Sequence, residues 1–228
     1  GLMRLASFQS LAHDPGELPV MIVIVDYKTA NLGSIVNMFK RIGAPARVAE
    51  KPADLQGASR ILLPGIGHFD TCARNLRSAG FSSALEEPVL RDRIPLLGIC
   101  VGAQLLTRGS EEGDEPGLGW IDALTQRFPS LDVADYKVPH MGWNVAVPRR
   151  EHVLFAGFDK PPRFYFVHSF CMQCTQPDSV LATTTHGVEF ASGIVKDNVA
   201  GVQFHPEKSH RFGMQLLRNF AQAPTAAA

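Results

Sequence analysis

The stretch Pro95-Leu-Leu-Gly-Ile-Cys-Val-Gly-Ala-Gln-Leu-Leu106 decides the fold of this 228-residue chain. An apolar run ends at Cys100, between Gly98 and Gly102, and a helix-forming run follows at once through Thr107. The pattern predicts a strand, a tight turn and a helix. A cysteine at that corner stands at the C-terminal end of a strand, and the first free N–H groups of the next helix point at it. Those groups favour negative charge and so stabilise a thiolate. The flanking glycines let the backbone bend sharply and leave room for a substrate, as at a nucleophile elbow with cysteine in place of serine. The same letters also describe a buried, inert cysteine at an ordinary strand-to-helix turn.

Upstream, Met21-Ile-Val-Ile-Val-Asp26 reads as a short buried strand. From Asn31 a helical pattern follows, with Ile35, Met38, Phe39 and Ile42 on one face and Gly43 closing it. Ala46–Ala49 and Arg60–Leu63 are a second and third strand, the latter ending at Pro64-Gly65-Ile66-Gly67. Two helical stretches, Phe69 to Arg77 and Phe81 to Asp92, lead back to Pro95. This rhythm implies a parallel sheet covered on both faces, with its site at the C-terminal ends of the strands. Residues 1–20 hold neither period and contain the turn signal Asp14-Pro15-Gly16, so they read as a loose extension or remnant before a domain starting at Met21.

Downstream of Gly119 the texture changes. Phe164–Phe170, Ser179–Thr185, Val188–Val195 and Val199–Phe204 are strand-like runs separated by turn signals, and a last helix spans about Gly213 to Ala221. Residues 223–228 read as a flexible tail. The expectation is one α/β domain over 21–222, with a mostly parallel central sheet, helices on both faces and an antiparallel second half.

Lys plus Arg equals Asp plus Glu, 22 each, so no net field draws in nucleic acid or an anionic membrane. No apolar run approaches a membrane span, and no signal-peptide pattern opens the chain. Cys72, Cys100, Cys171 and Cys174 form no dense disulfide framework, which points to a soluble protein in the reducing cytoplasm. Cys171-Met-Gln-Cys174 has the spacing of a zinc or dithiol pair but lacks two further ligands and runs into Pro177, so it is expected to be incidental packing. Cys72 reads as core. Neither a metal nor a cofactor is expected.

Gln203-Phe-His-Pro-Glu-Lys-Ser209 closes the last strand. If that strand joins the same sheet, its end brings His205 beside Cys100, while Glu207 reaches the far imidazole nitrogen. The three would form a triad: a thiolate that attacks a carbonyl, a base that shuttles the proton, and a carboxylate that fixes its tautomer. An exposed turn is the competing description of the same residues. One oxyanion donor would be the N–H of Val101; a second could come from Gly65-Ile66-Gly67, unless those residues only end a strand. Gln104, four residues after Cys100, projects to the same side and could hold a polar substrate.

Gly98-Ile-Cys-Val-Gly-Ala-Gln104 together with Gln203-Phe-His-Pro-Glu-Lys-Ser209 resembles the class I, triad-type glutamine amidotransferases. Gly117-Leu-Gly-Trp-Ile121, Val138-Pro-His-Met-Gly-Trp-Asn144 and Tyr165-Phe-Val-His-Ser169 look like the glutaminase subunits of imidazole glycerol phosphate synthases within that family. The likeness runs from about Met21 to Phe220.

The resemblance implies that glutamine is hydrolysed to glutamate and ammonia through a thioester on Cys100, and that ammonia passes to a separate cyclase subunit of histidine biosynthesis, the two forming a heterodimer. It implies that Gly67, Gln104, Glu112, His168 and Ser169 hold glutamine, with Glu112 suited to the α-ammonium. It implies that the Ile66 peptide turns to complete the oxyanion hole with Gly67 and Val101 when the cyclase is loaded. Asn31, Pro139, His140, Met141, Trp143 and Lys208 match the face turned to the cyclase. Two departures stand out: Lys28-Thr29-Ala30 where glycines and a methionine are usual, and Phe170 where tyrosine is common. The competing identities are a self-sufficient cysteine hydrolase, the glutaminases of anthranilate, guanylate or pyridoxal-phosphate synthases, and a non-catalytic module that keeps the fold.

Overall fold

Strand β1 (Ile22–Val25) consists of four β-branched residues, all fully buried, because a parallel neighbour lies on each side and both faces are covered. The structure, a computed structural model, describes residues 20–132 and 136–224; the extension expected over 1–20 lies, but for Val20, outside them, as do residues 225–228. Helix α1 (Leu32–Ile42) starts where the Asn31 side chain accepts from the Gly33 N–H, and stops at Gly43, which takes φ 74°. Its inward face is Ile35, Met38 and Phe39. Strands β2 (Ala46–Ala49) and β3 (Arg60–Gly65) then flank β1 in parallel register.

Helix α2 (Phe69–Ser78) is as expected, but the stretch from Phe81 to Asp92 is not one α-helix. Helix α3 ends after Phe81–Ala84, and Glu87–Arg91 forms a single π turn. Pro88 is the reason: it has no N–H to give to residue 84, and its ring crowds that carbonyl. Strand β4 (Leu96–Cys100) runs directly into α4 (Val101–Gln104), a single turn that stops short of Thr107. The carbonyls of Leu105 and Leu106 accept instead from the N–H groups of Leu118 and Ile121, and Thr107 Oγ1 bonds the Gln104 carbonyl at 2.7 Å.

The second half supplies β5 (Ala123–Arg127), β6 (His140–Val145), β7 (Val147–Pro148), β8 (Arg163–His168), β9 (Phe170–Cys174), β10 (Val180–His186), β11 (Val188–Lys196), β12 (Val199–Val202) and α5 (His210–Ala221). The large sheet has the order β2-β1-β3-β4-β12-β11-β10-β7, with β9 paired to β11 and β5 to β9. Strands β1 to β4 and β12 are parallel; the rest of this sheet is antiparallel. The run Phe164–Phe170 divides at Ser169: β8 pairs with β6 in a separate two-stranded sheet, while β9 joins the main one.

From β1 the chain steps one way through α1 to β2, and from β3 the other way through α2 to β4. Right-handed crossovers therefore place α1 and α2 on opposite faces of the sheet. Helix α5 packs beside α1, and α3 and α4 beside α2. Packing continues to Ala223, which is buried and whose carbonyl accepts from Arg60 Nη2. What positions the site is one register: β12 lies parallel to β4 with Val202 beside Ile99, so the chain following β12 emerges next to Cys100.

Candidate active site

Cys100 itself makes the bend, with φ 54° and ψ −114°. A side chain in that sparsely populated region persists only when its surroundings enforce it. Gly98 and Gly102 do not share the positive φ, so they serve close approach rather than the bend. A Cβ on Gly102 would lie 1.9 Å from the Leu63 carbonyl oxygen, and one on Gly98 2.7 Å from the Gly102 oxygen. The elbow is thus wedged against β3.

His205 is 1% exposed and shares its Nδ1 proton with Glu207 Oε1 at 2.7 Å. Its Nε2 is buried and reaches no partner at full hydrogen-bond geometry, yet the Cys100 sulfur is near enough to bias its charge. Burial alone would favour neutral imidazole. Interaction with Cys100 and with the Glu207 carboxylate outweighs it and lifts His205 to about 10. The site therefore holds an imidazolium beside the sulfur at neutral pH.

These groups open onto a cavity of about 420 Å3. Its lining includes Ile66, Gly67, Cys100, Val101, Gln104 and Glu112 from the first half of the chain, and Pro139, His168, Ser169, Phe170, His205 and Lys208 from the second. Every residue expected to hold substrate is there. Glu112 accepts the Phe69 N–H on Oε2 at 2.8 Å, which fixes the carboxylate at the cavity wall. Gln104 Nε2 donates to the Phe170 carbonyl at 3.4 Å and to Gln203 Oε1 at 3.0 Å. Gln203 is fully buried with Nε2 3.8 Å from Cys100 Sγ, a position that its motif alone does not signal. Its place follows only from the β4–β12 register.

His168 has both ring nitrogens engaged. The Phe170 carbonyl can only accept, so Nδ1 carries the proton at 2.7 Å and Nε2 accepts from His140 Nδ1 at 2.9 Å. His140 Nε2 in turn accepts from Asn144 Nδ2 at 3.1 Å. Burial, aided by neighbouring histidines, pushes His168 down to about 3 and His140 to about 4. His168 therefore lines the cavity without offering it a free ring nitrogen.

The residues expected to face a partner divide by strand parity. Met141 and Trp143 point outward from β6, at 61% and 40% exposed, and Trp143 stacks on His210 with centroids 5.5 Å apart. His140 points inward and is buried in the histidine chain. Asn31 caps α1, while Lys208 lies over the Tyr165 ring at 6.0 Å and reaches the cavity rim beside Pro139. Of the two departures, Lys28 adopts φ 65°, a conformation that suits glycine better, and Phe170 stacks under the Arg127 guanidinium. Cys171 and Cys174 sit three apart on β9 and so face opposite sides of the strand; burial pushes both thiols up to about 11.

The family described as glutamine amidotransferase class-I matches residues 23–223. Imidazole glycerol phosphate synthase subunit HisH 2 of Pseudomonas aeruginosa is 47% identical over 202 residues, 89% of this chain and 99% of that protein. The chain belongs to the class I glutamine amidotransferases, in their HisH branch. Imidazole glycerol phosphate synthase subunit HisH of Bdellovibrio bacteriovorus is 45% identical over 203 residues, 89% of this chain and all of that protein, 100%. Among solved structures, one of a glutamine amidotransferase gives a TM-score of 0.69 at 21% identity, covering 88% of this chain and 97% of that one. PurLQS from Thermotoga maritima gives 0.69 at 15% identity, covering 90% and 99%. At those identities the likeness is one of fold. Among the described residues of this amidotransferase, no helix is long and apolar enough to cross a membrane.

Proposed function

We propose that this chain is the glutaminase subunit of an imidazole glycerol phosphate synthase: it hydrolyses glutamine to glutamate and ammonia and passes the ammonia to a cyclase subunit, as a heterodimer in the cytoplasm, for histidine biosynthesis. The observation that carries this reading is that Cys100 and His205 line one cavity, with Glu207 bonded to His205, in a chain 47% identical to a HisH subunit.

In this reading the Cys100 thiolate attacks the carboxamide carbon of glutamine, and the carbonyl oxygen gains the negative charge. The His205 imidazolium gives its Nε2 proton to the departing nitrogen, so ammonia leaves and a glutamyl thioester remains. His205, now neutral, takes a proton from water as the oxygen attacks the thioester carbon; the sulfur leaves as thiolate with glutamate. Glu207 keeps Nδ1 protonated throughout. No cofactor is called on. Glu112 is placed to receive the substrate ammonium, with Gly67, Gln104, His168 and Ser169 shaping the rest of the pocket.

For the oxyanion, Val101 opens α4, and its N–H has no acceptor within the helix. The second donor is the Ile66 N–H, which in this structure is bonded to the Thr29 carbonyl at 2.8 Å. That supports a resting state that needs its partner. The partner face comprises Asn31, Pro139, Met141, Trp143 and Lys208, with His140 acting from beneath through His168.

Glutamate release, measured for the full chain alone and with the cyclase carrying its nucleotide ligand, tests the proposal. Slow release alone and strong acceleration in the complex are expected. No release in either sample would sink the glutaminase reading; equal release in both would sink the partner control.

A further inference from the structure

We infer that Gln203 is a positioning residue for the nucleophile, its side-chain amide donating a hydrogen bond to the Cys100 sulfur in an orientation locked by Gln104 and the Phe170 carbonyl. The inference rests on Cys100 being the nucleophile.

The orientation of a buried amide is decided by its partners, and here each link permits one answer. The Phe170 carbonyl oxygen can only accept, so the amide of Gln104 must present its NH2 end to it. That same Nε2 lies 3.0 Å from the Gln203 side chain, which must therefore offer its oxygen. With Oε1 turned to Gln104, the NH2 of Gln203 faces Cys100 Sγ at 3.8 Å, within reach of an N–H to sulfur hydrogen bond. A thiolate is a far better acceptor than a thiol, so the bond favours the charged form.

The register provides the reason this residue does it. β12 runs parallel to β4 with Gly201 beside Gly98 and Val202 beside Ile99, so the next pair is Gln203 and Cys100. The Gln203 N–H is tied to the Ser192 carbonyl on β11 at 2.9 Å, which fixes the backbone from which the side chain projects. His205, two residues on, approaches the same sulfur. The sulfur thus has two donors near it, the neutral Gln203 amide and the His205 imidazolium. Gln104 becomes a relay: it lines the substrate cavity and also sets the donor on the nucleophile.

The test uses the full chain with Gln203→Met, which keeps length and removes the donor. Alkylation of the Cys100 peptide by iodoacetamide is followed by mass spectrometry across pH. Burial raises the other three thiols, so they react slowly near neutrality. The pH midpoint for Cys100 alkylation should rise by about one unit, with roughly tenfold loss of kcat in the cyclase complex and little change in KM, in protein whose circular dichroism is unaltered. An unchanged midpoint in folded Gln203→Met overturns the inference. If that variant does not fold, the unmodified chain decides: the Gln203 side-chain amide proton should shift as the Cys100 sulfur titrates, and a resonance that ignores the titration overturns it. Full glutaminase activity in Cys100→Ala would instead remove the nucleophile on which the inference rests.

Discussion

The backbone N–H of Ile66 donates to the carbonyl oxygen of Thr29 at 2.8 Å. On either side of that peptide the chain is pinned: Tyr27 Oη donates to the Pro64 carbonyl at 2.6 Å, and Cys72 Sγ to the Ile66 carbonyl at 3.3 Å. The peptide between Gly65 and Ile66 is therefore the part left to turn, once its bonds to Thr29 and to β4 are broken. In the cyclase complex with its ligand, the Ile66 amide should exchange its hydrogen faster than in the isolated chain, while the core strand β1 stays protected. Equal protection of Ile66 in both states contradicts the switch.

The elbow depends on the absence of a Cβ at residue 102, where one would stand 1.9 Å from the backbone oxygen of Leu63. Backbone cannot swing aside as a flexible side chain can. Gly102→Ala is expected to cost about 3 kcal/mol in urea unfolding, at the upper end of overpacking effects. A loss under about 1 kcal/mol would mean that α4 is not wedged on β3.

Stability should peak near neutral pH, because two sets of histidines are shifted in opposite directions. His205 is raised to about 10 from about 6.5 when unfolded, so its pairing stabilises fully below the unfolded value and is lost as pH rises toward 10. His140 and His168 are lowered to about 4 and about 3, so their contribution is present above about 6.5 and is lost as pH falls through that window. In urea titrations over pH, His140→Gln should flatten the acid limb and leave the alkaline one. An acid limb as steep as before would count against the buried pair.

Trp143 and Met141 project from β6 where His140 does not, and an aromatic anchor of this kind concentrates binding energy. Trp143→Ala should weaken association with the cyclase by about 2 kcal/mol, roughly thirtyfold, in calorimetric titration. An unchanged affinity would place the docking face elsewhere.

Much of this was legible in the residues. The β-branched run at Ile22–Val25, the Asn31 cap and the Gly43 stop are local chemistry, and the elbow around Cys100 reads as strand, turn and helix without its neighbours. Cys100, His205, Val101 and Gln104 follow from spacing, while Glu112, His168 and Ser169 rest on motif likeness. What was not legible depends on distant pairing. The helix after Cys100 is a single turn because residues 118 and 121 take its carbonyls, and Pro88 divides the helix before it. The burial of His140, the engagement of both His168 nitrogens and the place of Gln203 beside the sulfur arise from strand register, which no local pattern reveals.

The most direct test of the account replaces the nucleophile and feeds the partner separately. Cys100→Ser, assembled with the cyclase, should make no product from glutamine but should support full synthesis from externally supplied ammonia. Glutamine-driven synthesis that survives the substitution would contradict the assignment of Cys100; loss of the ammonia-driven reaction as well would make Cys100 a structural residue of the complex.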